Sequence, residues 1–349
     1  MQYYIVEFSK YAIALLMGIY TLEAFLALGK KRNDENKSVY VRQDVYMFVI
    51  QFLAYLSMCL QTGQIEYLFF YAFLQIALFS TIVLYQMIYP KCNRLIVNNM
   101  CLLLSIGFIM LTRLDYDKAI KQFFIVVVAL VVALILPFFV HRLRFMKHLK
   151  WLYGLIGISA LGVVLILGQV THGSKISYTI AGITLQPSEF VKILFVFYVA
   201  GRFARSTEFK DVIVTTIFAA AHVLILVAST DLGAALLFFV TYLVMIYVAT
   251  KKAIYCGLGL GAGCVAGVLA YNLFSHVQVR VMAWADPWSC IDKEGYQVAQ
   301  SLFAIGTGGW MGMGLGQGLP SNIPFVEKDS IFSAISEELG GIFAICVIL

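Results

Sequence analysis

The chain has 349 residues, of which 61% are hydrophobic and 13% are charged. Soluble domains are usually about 45–50% apolar and about 25% charged, so the composition excludes a soluble domain, a disordered chain and a disulfide-rich secreted module. The formal net charge of +6 indicates membrane topology and not nucleic-acid binding. The seven cysteines contain no CxxC pair, so neither a zinc site nor a disulfide framework is predicted. The sequence therefore predicts an all-α polytopic membrane protein.

Ten apolar segments follow one another along the chain, and each is a candidate for a membrane-spanning helix of about 20 residues. The first is predicted to be retained, because the start of the chain lacks the cationic region and cleavage site of a signal peptide. The eighth and ninth are separated by four residues, which fits either two helices or two halves of a broken one. The segments lie near residues 11–28, 45–61, 67–89, 95–112, 123–140, 151–170, 189–201, 212–228, 233–249 and 253–274.

The distribution of Lys and Arg predicts the orientation. With the N-terminus outside, the loops placed inside carry 16 Lys and Arg, against eight outside, in agreement with the preference for cationic cytoplasmic loops. This orientation puts the long connection 275–329 outside the cytoplasm. Three of the four Trp residues lie in that connection, and loops of such length are usually functional or disordered. We expect an ordered loop on the membrane surface.

The last segment, 330–349, begins a further helix. Its apolar stretch 342–349 has only eight residues, which is too short to cross a bilayer. We therefore expect the chain to be a fragment that lacks further helices.

The seventh span begins with Gln186-Pro187-Ser188-Glu189. Proline at a helix start, with Ser188 or Glu189 capping the free N–H groups, is an ordinary helix beginning. Lys192, however, lies three residues after Glu189 and therefore on the same helical face. Because ionisable groups inside membrane segments are costly, this pair indicates a functional site.

Asp231 lies in the short connection between the eighth and ninth segments. It is predicted either to cap the next helix or to act as a buried carboxylate that pairs with Lys192 or another cation. The two interpretations are compatible.

The run 306–318 contains seven glycines in thirteen residues, which indicates close backbone approach to a ligand or a tightly folded loop. It is not a nucleotide-binding P-loop, because no Gly-Lys-Ser/Thr follows. Beyond it lie Asp329, at the start of the last helix, and Glu337 and Glu338 inside that helix. Capping and the helix dipole account for Asp329, whereas carboxylates inside an apolar helix favour a functional role.

Arg280 precedes Trp284 and Trp288 in the long loop. A cation beside aromatic anchors suits a lipid phosphate, although a simple interfacial aromatic belt explains the same residues. The five histidines show no metal-ligand spacing, so no metal site is predicted.

The order of these motifs resembles the SEDS family (shape, elongation, division and sporulation), which includes FtsW, RodA and SpoVE. The shared pattern is Gln-Pro-Ser-Glu-x-x-Lys, Asp-Leu-Gly, Arg…Asp-Pro-Trp…Gly-Tyr-Gln…Gln-Ser, the glycine-rich run, and Asp-x-Ile-Phe…Glu-Glu-Leu-Gly. The resemblance covers about residues 150–349. It predicts an N-terminal extension of about five helices at 1–150 and a truncated family core at 151–349, with the outer loop 275–329.

The resemblance implies a peptidoglycan glycosyltransferase of the bacterial cytoplasmic membrane, which polymerises lipid II at the outer face with a class B penicillin-binding protein. Asp329 matches the family's essential acidic residue, and we expect it to be the catalytic base. Lys175 stands where the family often has Arg-Trp. The predicted substrate-binding residues are Lys175, Gln186, Ser188, Glu189, Lys192, Asp231, Arg280 and Gln300.

The hypothesis is transfer of a growing glycan from polyprenyl pyrophosphate to the 4-hydroxyl of lipid II. Asp329 would take the hydroxyl proton, and a single displacement would invert the anomeric centre. Arg280, Lys175 or Lys192, or a divalent cation, would stabilise the leaving pyrophosphate.

Two other functions remain open. The intramembrane charges could line the path of a transporter of lipid-linked precursor, although no inverted repeat is apparent. The chain could also be a noncatalytic scaffold that activates a partner synthase.

Overall fold

The computed structural model describes residues 2–28, 37–142, 149–167, 169–171, 174–180 and 183–349, with only the backbone for residues 2, 3, 141, 167 and the three strands. The described helices are α1 (Gln2–Leu28), α2 (Lys37–Thr62), α3 (Glu66–Ile88), α4 (Arg94–Leu114), α5 (Tyr116–Arg142), α6 (Lys150–Leu167), α7 (Pro187–Phe203), α8 (Phe209–Ala228), α9 (Leu232–Thr250), α10 (Ala253–Leu273), α11 (Ser275–Ala285), α12 (Tyr296–Gly308) and α13 (Ile331–Ile348).

The ten predicted segments correspond to α1 to α10, which confirms the all-α polytopic class. Nine of the described helices are long and apolar enough to cross a membrane, namely α1 to α5, α8 to α10 and α13. The eighth and ninth segments form two separate helices, α8 and α9. The loop 275–329 is ordered, as predicted, and contains α11, α12 and a 3₁₀ turn at Pro320–Asn322.

The last helix corrects one expectation. The helix α13 spans 18 residues with a mean hydropathy of 1.8, and it is long and apolar enough to cross a membrane. The expectation of a stretch too short to span counted only residues 342–349, because Glu337 and Glu338 were not included in an apolar stretch. In the structure these two carboxylates are buried within α13, where they accept hydrogen bonds.

A small antiparallel sheet that the sequence analysis did not predict lies between α6 and α7. Its strands are β1 (Gln169–Thr171), β2 (Ser174–Ile180) and β3 (Ile183–Leu185), in the order β1-β2-β3. Within β2, Ile176, Tyr178 and Ile180 alternate with polar residues, which is the period of a strand. Lys175 lies in β2 opposite Val170, and its side chain lies outside the description.

Two compact units divide the chain. Unit 1 comprises residues 1–136 and 276–349, and unit 2 comprises residues 137–275. In unit 1, α13 packs against α1, α4 and α12, and the core includes the fully buried side chains of Tyr55 and Phe343. In unit 2, α6 to α9 pack around Phe195, Tyr198 and Phe238.

Helix α13 is broken at Gly340, whose φ of 90° and ψ of 165° are not helical. Backbone groups that a continuous helix would pair are therefore freed, and unpaired backbone groups are costly in an apolar environment. The glycine-rich run 306–318 pairs them from the side. Four hydrogen bonds do this: Met313 N–H to Glu337 O (2.9 Å), Gly314 N–H to Glu338 O (2.9 Å), Gly341 N–H to Gly309 O (2.9 Å) and Ile342 N–H to Trp310 O (3.1 Å).

Glycine is required where the two backbones cross. Gly312 has a φ of 79°, and a Cβ there would overlap the Glu338 carbonyl oxygen and lie 2.7 Å from the Gly340 nitrogen. The run was predicted either to approach a ligand closely or to form a tightly folded loop, and in the structure it forms a tightly folded loop against α13.

We predict that Gly312→Ala lowers the free energy of unfolding by about 2–4 kcal/mol, because it combines a left-handed φ with overlap against backbone that cannot move away. Thermal unfolding in detergent measures the loss. The matched control is Gly306→Ala, in the same run but with no atom within 4 Å of the added methyl. Equal melting temperatures for the two variants would contradict the packing described here.

Candidate functional site

Asp329 lies on the turn that precedes α13. Its backbone N–H donates to the carbonyl of Phe325 (2.9 Å), and its side chain is exposed. Among the described residues, no hydrogen bond or ion pair engages its carboxylate. The residue at the N-cap of α13 is Ser330, so the capping interpretation of Asp329 was wrong. The carboxylate is free to accept a proton from a bound molecule.

Two contacts hold this turn in place. The Gln297 amide, on α12, donates to the carbonyl of Pro324 (3.1 Å) and to the hydroxyl of Ser330 (3.2 Å). Glu327 accepts from the ammonium of Lys118 on α5 (2.9 Å), and this hydrogen bond lowers the pKa of the Glu327 carboxyl. The turn is therefore bound to α12 and α5 through residues before and after Asp329.

Gln297 belongs to the Gly-Tyr-Gln motif, but no role was predicted for it from the sequence. Its partners are the Pro324 carbonyl and the Ser330 hydroxyl, which lie 27 and 33 residues further along the chain. The motif was the only available signal, because its contacts depend on how the loop folds.

An ion pair between a partly exposed arginine and a buried glutamate joins α4 to α13. The Nε of Arg113 lies 3.1 Å from Oε1 of Glu338, whose side chain is fully buried. The other oxygen of Glu338 accepts from the Gly316 N–H (3.1 Å), and Arg113 also donates to the Gly318 carbonyl (3.3 Å). The pair therefore clamps the glycine-rich run between the two helices.

The neighbouring Glu337 faces the same run. Its Oε1 accepts from the Leu319 N–H (3.0 Å), while its buried Oε2 has no hydrogen-bond partner among the described residues. Glu337 and Glu338, the two carboxylates predicted to have a functional role, thus accept hydrogen bonds from backbone N–H groups of the loop, and these contacts stabilise the fold.

Arg280 and Gln300 lie on α11 and α12, in the same loop 275–329 as Asp329. Arg280 is exposed and Gln300 is half-buried. Within the part of the chain that the structure describes, neither side chain forms a hydrogen bond or an ion pair, and neither is joined to Asp329. Arg280 thus remains a free cation at the surface of unit 1.

A second polar cluster lies in unit 2, at the start of α7 and α9. The Gln186 amide donates to Ser188 Oγ (3.0 Å) and to Asp231 Oδ2 (3.5 Å). Asp231 caps α9, because its Oδ1 accepts from the Ala234 N–H (3.1 Å). Three of the predicted site residues are therefore brought together, and the capping interpretation of Asp231 is confirmed.

Glu189 and Lys192 form an ion pair on α7, as their spacing predicted. The Lys192 ammonium lies 2.8 Å from each oxygen of Glu189. The alternative in which Lys192 pairs with Asp231 was wrong, because the i, i+3 carboxylate on its own helix engages the ammonium while Asp231 binds Gln186 and Ala234.

A metal centre is not assigned. Across the residues that the structure describes, no group of three or more His, Cys, Asp or Glu side chains could hold a metal ion. We therefore assign no residue to a divalent cation.

Comparisons with known proteins point to one family. The family model FTSW_RODA_SPOVE, described as "Cell cycle protein", matches residues 91–349, so the match begins well before the motifs that carried the resemblance. The peptidoglycan glycosyltransferase RodA of Mycobacterium tuberculosis (strain ATCC 25618 / H37Rv) is 31% identical over 280 residues, which cover 72% of this chain and 60% of that protein.

Relatives of a second name are also similar. The probable peptidoglycan glycosyltransferase FtsW of Methylococcus capsulatus is 34% identical over 203 residues, or 55% of this chain and 51% of that protein. The chain spans about 60% of the length of the first curated relatives it matches. No solved structure shows a significant match.

We predict that Arg113→Gln lowers the free energy of unfolding by about 3–5 kcal/mol, because it leaves the buried Glu338 carboxylate without its counter-ion. Thermal unfolding in detergent measures this loss, with Lys121→Gln, an exposed charge on α5, as the control. The double variant Arg113→Gln/Glu338→Gln should recover much of the loss, since no unpaired charge remains. A double variant no more stable than Arg113→Gln would contradict the pairing.

Proposed function

Because this chain belongs to the FtsW/RodA/SpoVE family of cell cycle proteins, we propose that it polymerises lipid II into the glycan strands of peptidoglycan. It is a multi-pass bacterial membrane protein. The relatives are named peptidoglycan glycosyltransferases, and the motifs that the chain shares with the family lie within the matched residues.

The observation that carries the proposal is the free carboxylate of Asp329. In the reaction, the 4-hydroxyl of lipid II attacks the anomeric carbon of the growing glycan, and the bond to the polyprenyl pyrophosphate breaks. A hydroxyl is a weak nucleophile, and a carboxylate within hydrogen-bond reach accepts its proton as the new bond forms. The carboxylate of Asp329 suits this task, because it is exposed, has no partner within the described parts of the chain, and lies on a turn held at Pro324, Glu327 and Ser330.

The pyrophosphate leaves with negative charge, which a cation must stabilise. Arg280 is our first candidate, because it is exposed and has no partner among the described residues. Lys192 is a weaker candidate, because Glu189 already neutralises it. Lys175 stays a candidate on sequence alone. A divalent cation held by the pyrophosphate itself is compatible with Arg280 as the stabilising cation.

The cluster of Gln186, Ser188 and Asp231 is proposed to bind polar groups of the substrate. Gln186 has a free carbonyl oxygen once its amide donates to Ser188 and Asp231. Gln300, half-buried on α12, is a further proposed substrate-binding residue. These assignments rest on the motif match and on the unused hydrogen-bonding capacity of each side chain.

The orientation and the partner are also part of the proposal. The excess of Lys and Arg in alternate loops supports an N-terminus outside and a site that faces outward. We propose a class B penicillin-binding protein as the partner, since the motifs resemble the SEDS family. We also propose an N-terminal extension followed by a family core, and the boundary predicted at 150/151 lies inside the residues 91–349 that match the family model.

We predict that Asp329→Asn lowers the rate of glycan polymerisation by about 10²–10⁴-fold, the usual contribution of a general base. The assay supplies the purified full-length protein and its class B partner with fluorescent lipid II, and gel electrophoresis resolves the strands. Asp292→Asn removes another exposed carboxylate of the same loop and should keep full activity.

Other outcomes separate the alternatives. Retained polymerisation by a folded Asp329→Asn variant would reject the base assignment. Absence of strands from the well-folded wild-type complex would reject the polymerase, and movement of labelled lipid II across vesicles would then favour the transporter. Polymerisation that needs a glycosyltransferase domain in the partner would favour the scaffold.

A further inference from the structure

Three cations come together where α6 begins, in unit 2. Lys150, the first residue of α6, is only 7% exposed, and Arg202 near the end of α7 is 6% exposed. Arg205, just beyond α7, is exposed. Both arginines lie close enough to Lys150 for their charges to act on its ammonium.

The packing forces these charges into one place. A Cβ on Gly201 would lie 3.0 Å from the Cβ of Lys150, so α6 and α7 touch at this point. The guanidinium of Arg202 stacks over the ring of Trp151, 4.7 Å from its centroid. The backbone of Lys150 is therefore held directly beside α7, the helix that carries Arg202.

One carboxylate serves this cluster. The Nη2 of Arg202 lies 2.7 Å from Oδ1 of Asp211 on α8, and its Nε donates to Thr215 (3.3 Å). Within the described part of the chain, Lys150 and Arg205 have no ion pair and no side-chain hydrogen bond. Asp211 thus neutralises one of three positive charges.

Like charges crowded together with too little counter-charge are unfavourable, and the Lys150 side chain that carries one of them is largely buried. The first N–H groups of α6 add further positive partial charge. Lys150 also stands at the first turn of an apolar helix and is followed by Trp151, and tryptophan next to a cation at the end of an apolar helix is typical of the level of lipid headgroups. The described side chains around Lys150 therefore carry more positive than negative charge, and an anion would balance them.

We propose that Lys150, Arg202 and Arg205 bind a phosphate group, supplied by the headgroup of an anionic phospholipid. Phosphate oxygens accept hydrogen bonds from lysine and arginine together, and basic pockets between membrane helices are suited to anionic headgroups. Binding would neutralise the charge that Asp211 leaves over and would hold α6, α7 and α8 together at this end. The site is independent of the proposed polymerase activity.

The test uses the purified protein, stripped of lipid in a zwitterionic detergent. Phosphatidylglycerol, phosphatidylcholine and inorganic phosphate are each added, and thermal unfolding and native mass spectrometry measure stabilisation and retained ligand. We expect phosphatidylglycerol to bind and to raise the melting temperature, and phosphatidylcholine to do neither. Lys150→Met and Arg205→Gln should each weaken binding about tenfold, the loss of one charged hydrogen-bond donor.

Two features keep the test decisive. Lys150→Met replaces an unpaired charge by an apolar chain of similar length, so without lipid it should unfold no earlier than the wild type. If that variant does not fold, Arg205→Gln still decides, because Arg205 is exposed and unpaired in the described residues. Lys252→Gln is the control, since Lys252 is an exposed cation between α9 and α10, at the corresponding end of unit 2.

The outcomes are distinct. Stabilisation by inorganic phosphate with the same dependence on Lys150 and Arg205 would support the phosphate site and assign a soluble source. The proposal is overturned by equal binding of phosphatidylglycerol and phosphatidylcholine. It is also overturned by binding that Lys150→Met and Arg205→Gln weaken no more than Lys252→Gln does.

Discussion

The organisation of unit 1 depends on the break in α13 at Gly340. A helix in an apolar environment must satisfy its own backbone, and α13 stops doing so halfway along. The glycine-rich run supplies the missing hydrogen-bond partners on both sides of the break. The side chains of Glu338 and Arg113 then tie the same run to α13 and α4, and Glu337 binds Leu319 directly after the run. Backbone and charged contacts thus fix one loop against one helix.

This arrangement gives Asp329 a rigid support. It lies between a loop fixed to α13 and the first turn of α13 itself, and Gln297 and Lys118 tie its turn to α12 and α5. A reacting group is most effective when neighbouring contacts hold its position and leave its own hydrogen-bonding capacity unused. Asp329 combines a held backbone with a carboxylate that has no partner among the described residues, whereas Glu338 uses both of its oxygens, and Glu337 one, in structural contacts.

The sequence predicted what depends on neighbouring residues. The ten helices followed from apolar runs, the pair of Glu189 and Lys192 from helical spacing, and the cap at Asp231 from its place before a helix. Contacts between distant segments left no local signal: Arg113 and Glu338 are 225 residues apart. The strand β2 did have the alternating pattern, but no strand was predicted from it. The roles of the site residues in catalysis remain predictions.

The contact between the end of α2 and the glycine-rich run has a consequence for the order of assembly. The Gln61 amide donates to the Leu315 carbonyl (2.6 Å), 254 residues further along the chain. At about 5–20 residues per second, a ribosome needs on the order of 10–50 s to make that partner after Gln61 has emerged. During this interval the side-chain amide of Gln61, at the end of α2, lacks the Leu315 carbonyl as its hydrogen-bond partner. The second helix of the chain therefore cannot reach its final setting until residue 315 has been made.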